Sequence, residues 1–267
     1  MEKSQVPEPK SISGLKIASL GSGSKGNATL IQSEQACIMV DCGFTLKETE
    51  LRCQKLGFDL ASLSAILVTH EHQDHIKGSG PLSRKYQVPI YSSQGTFLSG
   101  KFGQPYEYFK IKPYQDFELG DLTIIPFNVP HDAREPCQFV IQVADRRLAI
   151  LSDLGKITEP IVELLATCQG ILLEMNHDYE MLMNGPYPYQ LKQRVGGSLG
   201  HLNNQQSLDL LAQLDLSQLS LVVATHLSEQ NNCPNLVKRQ LNDVFADSAV
   251  EYHVADQTEG LYWLDFS

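Results

Sequence analysis

Ser64-Ala65-Ile66-Leu67-Val68-Thr69-His70-Glu71-His72-Gln73-Asp74-His75 decides the reading of this chain. An apolar, strand-like run ends directly at His70. Three of the chain's eight histidines then fall within six residues, with an aspartate between the last two. Imidazole and carboxylate are the natural ligands of zinc and its first-row neighbours. On a tight turn at a strand end, His70 and His72 can reach one metal ion while Asp74 and His75 face a second. A polar surface loop with chance histidines is the bland alternative, and the apolar run before His70 argues against it.

Two ions need more ligands than this turn supplies. His131 follows a strand in Pro130-His131-Asp132, Asp153 follows another in Leu151-Ser152-Asp153-Leu154-Gly155, and His226 a third in Ala224-Thr225-His226-Leu227-Ser228. Strand ends carrying His or Asp place these groups along one rim of a sheet, where active sites of open α/β folds collect. His253 sits inside the apparent strand Glu251–Val254 and reads as structural.

Around these residues, short apolar runs alternate with turns. Strands are expected at Leu15–Leu20, Ala28–Gln32, Cys37–Val40, Ser64–Thr69, Leu122–Pro126, Phe139–Val143, Leu148–Leu151, Ile171–Leu173 and Leu221–Ala224. Helices are expected at Thr45–Leu56, Pro160–Ala166, Gln205–Leu214 and Asn235–Phe245. Propensity alone supports an α/β class, and two sheets with helices on their outer faces fit the alternation. Met175–Leu202 is the one long irregular segment, and such segments inside compact domains tend to be functional. Gly21-Ser22-Gly23-Ser24-Lys25-Gly26 matches a dinucleotide-binding glycine pattern and has Asp41 downstream. That fold needs a helix to open at the glycine loop. Asn27-Ala28-Thr29-Leu30-Ile31 is strand-like instead, so a hairpin turn is the better reading.

The chain has 267 residues, 42% hydrophobic and 19% charged, an ordinary globular composition. No apolar run approaches the roughly 20 residues of a membrane-spanning helix. Residues 1–13 contain no apolar stretch fit for a secretory signal and read as a disordered leader, which makes the protein cytoplasmic in expectation. The six cysteines form no CxxC pair and read as buried free thiols, with Cys42 close enough to Asp41 to be a minor ligand candidate. A net charge of −10 argues against coating nucleic acid through a broad basic face. It leaves room for a local grip on phosphate through metal ions, whose charge a sequence count omits.

The order His70-x-His72-x-Asp74-His75, His131, Asp153, His226 resembles the metallo-β-lactamase superfamily over essentially the whole chain after the leader. The resemblance implies a four-layer αββα sandwich, a single domain over residues 14–267. It implies that His70, His72 and His131 hold one metal, that Asp74, His75 and His226 hold the other, and that Asp153 bridges them. Asp41 matches the acidic residue that orients ligands from behind, although capping a turn before Gly43 would also explain it. Two divalent ions (zinc, or manganese or iron) about 4 Å apart supply hydroxide at neutral pH, with Asp74 also orienting it.

Further polar clusters exceed what metal binding needs. Glu174-Met175-Asn176-His177-Asp178, Gly200-His201-Leu202-Asn203-Asn204 and Thr225 to Asn232 resemble the late motifs of the YycJ, WalJ or VicX branch, a bacterial group assigned DNA exonuclease activity. Ser22 to Asn27 and His131 to Pro136 resemble it too, whereas Met175 and Asn203 stand where serine is commoner. The branch implies a dinuclear phosphodiesterase acting 5′ to 3′ on DNA, with no membrane partner. Chain order also resembles RNase Z, in which a glutamate and a later histidine cooperate at the leaving group. Glu174 and His201 stand there, so His201 is expected to donate a proton to the departing 3′ oxygen. Ser228, Asn231 and Asn232 are candidate phosphate contacts at a helix start, or ordinary helix caps. Tyr187, Tyr189, Lys192 and Arg194 are candidates for stacking bases and holding backbone, or a solvated loop. A thioester or lactone hydrolase of the same fold is the alternative function. A non-catalytic binding protein is the more distant one, since its ligands would be degenerate. The chain is too short for the inserted domain of RNase J-type nucleases.

Overall fold

The computed structural model describes residues 14–267; the expected leader lies outside them. The first half runs β1 (Leu15–Gly21), β2 (Ala28–Gln32), β3 (Cys37–Val40), α1 (Leu46–Lys55), β4 (Ala65–Val68), α2 (Gln73–Ile76), α3 (Ser79–Tyr86), β5 (Ile90–Ser92), α4 (Gln94–Leu98) and β6 (Tyr108–Lys110). The second half runs β7 (Phe117–Leu119), β8 (Leu122–Asn128), β9 (Cys137–Val143), β10 (Arg146–Leu151), α5 (Glu159–Leu165) and β11 (Gly170–Glu174). It continues through α6 (Tyr179–Asn184), α7 (Tyr189–Val195), α8 (Asn204–Leu211), β12 (Leu221–Thr225), α9 (Pro234–Phe245), β13 (Glu251–Val254) and β14 (Leu261–Phe266).

Two seven-stranded sheets result, ordered β14-β1-β2-β3-β4-β5-β6 and β13-β12-β11-β10-β9-β8-β7. Alternation along the central strands explains the layering. In β4, Ala65 and Leu67 join the core between the sheets, while Ile66 and Val68 join a second core outside the first sheet. In β10, Leu148 and Ile150 point to the shared core, and Ala149 and Leu151 to a third core outside the second sheet. Strands buried on both faces read as unbroken apolar runs, which is why they stand out in the sequence. Cys53 and Leu82, from α1 and α3, close the outer face of the first sheet, and Ile161, Leu210 and Leu241, from α5, α8 and α9, that of the second. The layers are therefore αββα, as expected.

Departures from the sequence reading follow a pattern. The short strands β5, β6 and β7 and the C-terminal β14 were not anticipated, nor were α2, α3 and α4. Most lie at sheet edges or expose much of their surface, so their apolar spacing is weak. Met175–Leu202 is not wholly irregular, since α6 and α7 lie within it. The glycine-rich loop does turn between antiparallel strands, with Gly21 paired to Ala28, so no dinucleotide-type helix opens there. Among the described residues, no helix is long and apolar enough to cross a membrane. All six cysteines are free, and five are buried.

Candidate active site

His70, His131, Asp153 and His226 lie just beyond the C-terminal ends of strands, and Asp74 and His75 lie on α2, the short helix that follows β4. After β4, Thr69 leads into a turn carrying His70, and His72 is the N-cap residue of α2. β8 delivers His131, β10 delivers Asp153, Glu174 is the last residue of β11, and His226 follows β12. Three non-glycine residues here adopt left-handed backbone: Asp41 (φ 61°), Asp153 (φ 54°) and His226 (φ 56°). Such strain persists where the surrounding structure holds it, and it clusters at functional sites. A side chain on Gly43 would place its Cβ 1.8 Å from the Asp74 carbonyl oxygen, so only glycine lets these two turns touch.

Four overlapping sets converge closely enough to share an ion: His70, His72 and His131; Asp74, His75 and His226; His70, His75 and Asp153; and Asp153, Glu174, His201 and His226. In each set the ligand atoms lie within 4.8 Å of one another. Asp153 belongs to two of the sets, one with His70 and one with His226, which is the position a bridging carboxylate needs. No cysteine takes part among the described residues, so Cys42 is not a ligand here; its Sγ lies 3.5 Å from Thr49 Oγ1 instead.

Outer hydrogen bonds set each ring. His75 Nδ1 donates to Asp41 Oδ2 at 2.7 Å, and the Thr69 hydroxyl donates to the same carboxylate at 2.8 Å. With its proton so used, Thr69 Oγ1 accepts from His70 Nδ1 at 2.9 Å. Asp41 thus orients two ligand histidines, leaving the Nε2 of each for a cation. His131 Nδ1 donates to the Gly200 carbonyl at 3.1 Å, and its Nε2 faces His72 Nδ1 at 3.2 Å. His226 Nδ1 donates to Glu174 Oε1 at 3.0 Å. His70 Nε2 and His226 Nε2 are buried with no protein hydrogen-bond partner, and Asp153 Oδ2 faces His75 Nε2 at 2.8 Å. Buried polar atoms are normally satisfied, so two inward-facing imidazole orphans beside a buried carboxylate fit divalent cations.

The electrostatics agree. Burial opposes charge on His75, yet Asp153, Asp74 and Asp41 hold its pKa well above the ordinary histidine range. Burial likewise opposes charge on His226, and Asp153, Asp74 and Glu174 outweigh it, raising the pKa to about 10. Burial would raise Asp153, but His226 and His75 keep it well below the carboxylate range. Burial, with His75 alongside, pushes His70 well below the ordinary value. Carboxylates in excess call for positive charge, and divalent ions can take the place of those protons.

Glu174 is fully engaged. Its Oε1 accepts from His201 Nδ1 at 2.8 Å as well as from His226, and its Oε2 accepts from the Leu154 and Leu202 amides at 3.0 and 3.1 Å. Against burial, His201 and His226 lower its pKa to about 2. Burial works against the cation on His201, and Glu174 and Asp153 overcome it, raising that pKa. His201 is still 21% exposed by side chain and reaches a cavity of about 390 Å³ that opens over the metal-binding sets.

Of the candidate phosphate contacts, Ser228 lines that cavity, and Asn231 and Asn232 do not. Asn232 is buried and donates to the Met175 and Asn176 carbonyls, and it pairs with Asn204. The expected helix start is also displaced: α9 opens at Pro234, beyond all three residues. Tyr187 and Arg194 line the cavity, whereas Tyr189 and Lys192 line a neighbouring groove on the other side of α7. His253 lies outside the site, 2.6 Å from Glu251. Asn203 replaces the commoner serine without loss, because it closes a capping box on α8 with Gln206.

Several contributors were missed. Asn27 places Nδ2 3.1 Å from His75 Nε2, its backbone N–H donates to the Asp74 carbonyl, and Ser22 Oγ accepts from the His226 amide at 2.7 Å. The glycine loop therefore braces both sides of the site. Thr69 and Asp132 act through hydrogen bonds that no spacing rule reports.

A family model described as the β-lactamase superfamily domain matches residues 37–227. The chain belongs to that superfamily. Within it, the chain is 31% identical over 255 residues to the exodeoxyribonuclease YycJ of Bacillus anthracis, covering 91% of this chain and 96% of that protein. It is 30% identical to the exodeoxyribonuclease WalJ of Streptococcus pneumoniae, over 91% of this chain and 94% of that one. The metallo-β-lactamase fold protein YhfI of Bacillus subtilis superposes with a TM-score of 0.72 at 18% identity, over 94% of this chain and 99% of that chain. The αββα sandwich is thus that of the metallo-β-lactamase fold.

Proposed function

We propose that this superfamily member is a metal-dependent exonuclease acting on DNA from the 5′ end, working in the cytoplasm as one domain over residues 14–267. One observation carries the reading. His201 is bonded to a buried Glu174 at the cavity wall, a pair that belongs to none of the three three-residue sets and joins Asp153 and His226 only in the fourth. The names of the relatives, exodeoxyribonucleases, support the same substrate.

On this reading His70, His72 and His131 would hold one divalent ion and Asp74, His75 and His226 a second, with Asp153 available to either. Bound there, zinc, manganese or iron would lower the pKa of water and neutralise charge on a phosphoryl oxygen. Asp74 lines the cavity, mostly buried, and accepts a hydrogen bond from the attacking water, aiming its lone pair at phosphorus. His201 presents Nε2 to the departing 3′ oxygen and donates the proton there. Glu174 accepts the Nδ1 proton, which fixes the ring and stabilises its cationic form. Ser228 supplies a hydroxyl to a non-bridging oxygen. Asn231 and Asn232 shape the loop that carries it.

The test is cleavage of 5′-labelled and 3′-labelled DNA and RNA by metal-stripped protein refilled with zinc or manganese, beside Asp74→Ala. Metal-dependent DNA cleavage lost in the variant is expected, with the label pattern showing 5′ mononucleotides released first. Fully metallated protein that leaves every strand intact would end the nuclease reading.

A further inference from the structure

Lys101 and Arg194 are the only lysine or arginine side chains lining the catalytic cavity among the described residues. Both are moored on one side of it. Lys101 Nζ donates to the carbonyl of Glu71, between His70 and His72, at 2.8 Å. Arg194 Nε donates to Asp132 Oδ2 at 2.7 Å, and Asp132 Oδ1 lies 3.5 Å from His131 Nε2 and 3.7 Å from His72 Nε2. The two cations therefore flank the His70, His72 and His131 set. Around Asp74 and His226, the cavity wall offers Ser24, Asn176 and Ser228, which are neutral.

Fold stability does not account for this pair. Arg194 is 62% exposed by side chain, where an ion pair contributes little. A guanidinium has five donors and an ammonium three. Among the described residues, only Nε of Arg194 and a single bond from Lys101 Nζ are used. The remaining donors suit the oxygens of a phosphate. In a chain of net charge −10, a phosphate backbone has to be gripped locally. At about 390 Å³ the cavity falls at the small end of ligand pockets, about 300–1,000 Å³, which gives room for a nucleotide.

We infer that Lys101 and Arg194 bind the strand phosphate neighbouring the scissile one. This rests on the nuclease reading. The experiment measures kcat and KM on single-stranded DNA bearing 5′-phosphate or 5′-hydroxyl ends, for the metal-loaded parent, Lys101→Gln, Arg194→Gln, Lys101→Arg and Arg194→Lys. Each neutral variant should raise KM about ten-fold or more with a much smaller change in kcat, as loss of a charge-assisted hydrogen bond predicts. The charge-keeping variants should recover most of that loss. The slope of log kcat/KM against log salt should become shallower by about 0.7 in each neutral variant. A rise confined to 5′-phosphorylated strands makes the bound phosphate the terminal one, and an equal rise on both makes it internal. Unchanged KM and salt slope in both neutral variants overturn the phosphate assignment. A metal-loaded parent that cleaves no strand fells the nuclease reading, and the inference with it.

Discussion

His201 is the residue on which the chemistry turns, and its surroundings separate two roles. Its Nδ1 is bound to Glu174, and it joins a potential metal set only with Asp153, Glu174 and His226, being absent from the three three-residue sets. His201→Ala should therefore lower kcat by about 10²–10⁴. Metal content, measured by elemental analysis, should stay at the parental level; lost metal would make the ring a ligand instead. Asp41 is the contrasting case, because it does not line the catalytic cavity and orients His70 and His75 through their outer nitrogens. Asp41→Asn should weaken metal binding about 10–100-fold, read by competition with a chelating dye.

Among the elements, the strands buried on both faces and the long helices were legible in the sequence. In α9, Val237, Leu241 and Phe245 repeat every fourth residue and are buried against the second sheet. Leu241 is fully buried there, so Leu241→Ala should cost about 2–5 kcal/mol in urea unfolding without changing kcat. Elements with less to bury were illegible. α7 has no buried residue, and β6 consists of three residues held at a sheet edge, so neither leaves an apolar period. The site divides the same way. His70, His72, Asp74 and His75 announce themselves by spacing beside a strand, whereas Thr69, Asn27 and Lys101 matter through bonds to backbone or to another ring. Asn231 and Asn232 were read as standing at a helix start beside a ligand, whereas both are buried and α9 opens only at Pro234. In this turn the backbone carbonyls of Met175 and Asn176 absorb the Asn232 amide.

For the whole molecule, the thiols give a pH dependence free of the metal site. Burial pushes Cys37, Cys42 and Cys53 from 9.0 up to about 12, and Cys168 up to about 11. In the unfolded chain these groups ionise near pH 8.5. The folded state thus keeps their full contribution below that pH and loses it as pH climbs toward 11–12. The urea midpoint should fall steadily above about pH 9, and less so in a variant with Cys37 and Cys53 replaced by Ala or Val. Cys233 is the exception: the Leu236 and Asn235 amides at the start of α9 lower its pKa. A colorimetric thiol reagent should find one fast thiol in native protein and six in urea. Several fast thiols in the native state would contradict the buried assignment.

The left-handed peptides at Asp41, Asp153 and His226 set selection for sturdiness against selection for catalysis. An L-residue in that conformation carries a penalty of about 1–2 kcal/mol, and glycine is free of it. At all three places, the side chain that the proposed chemistry needs is the one the backbone would sooner do without. A library screened only for surviving heat should gather glycine at positions 41, 153 and 226, and its winners should be durable and idle. A screen that returns the parental residues there would mean that the ligands themselves hold the fold together.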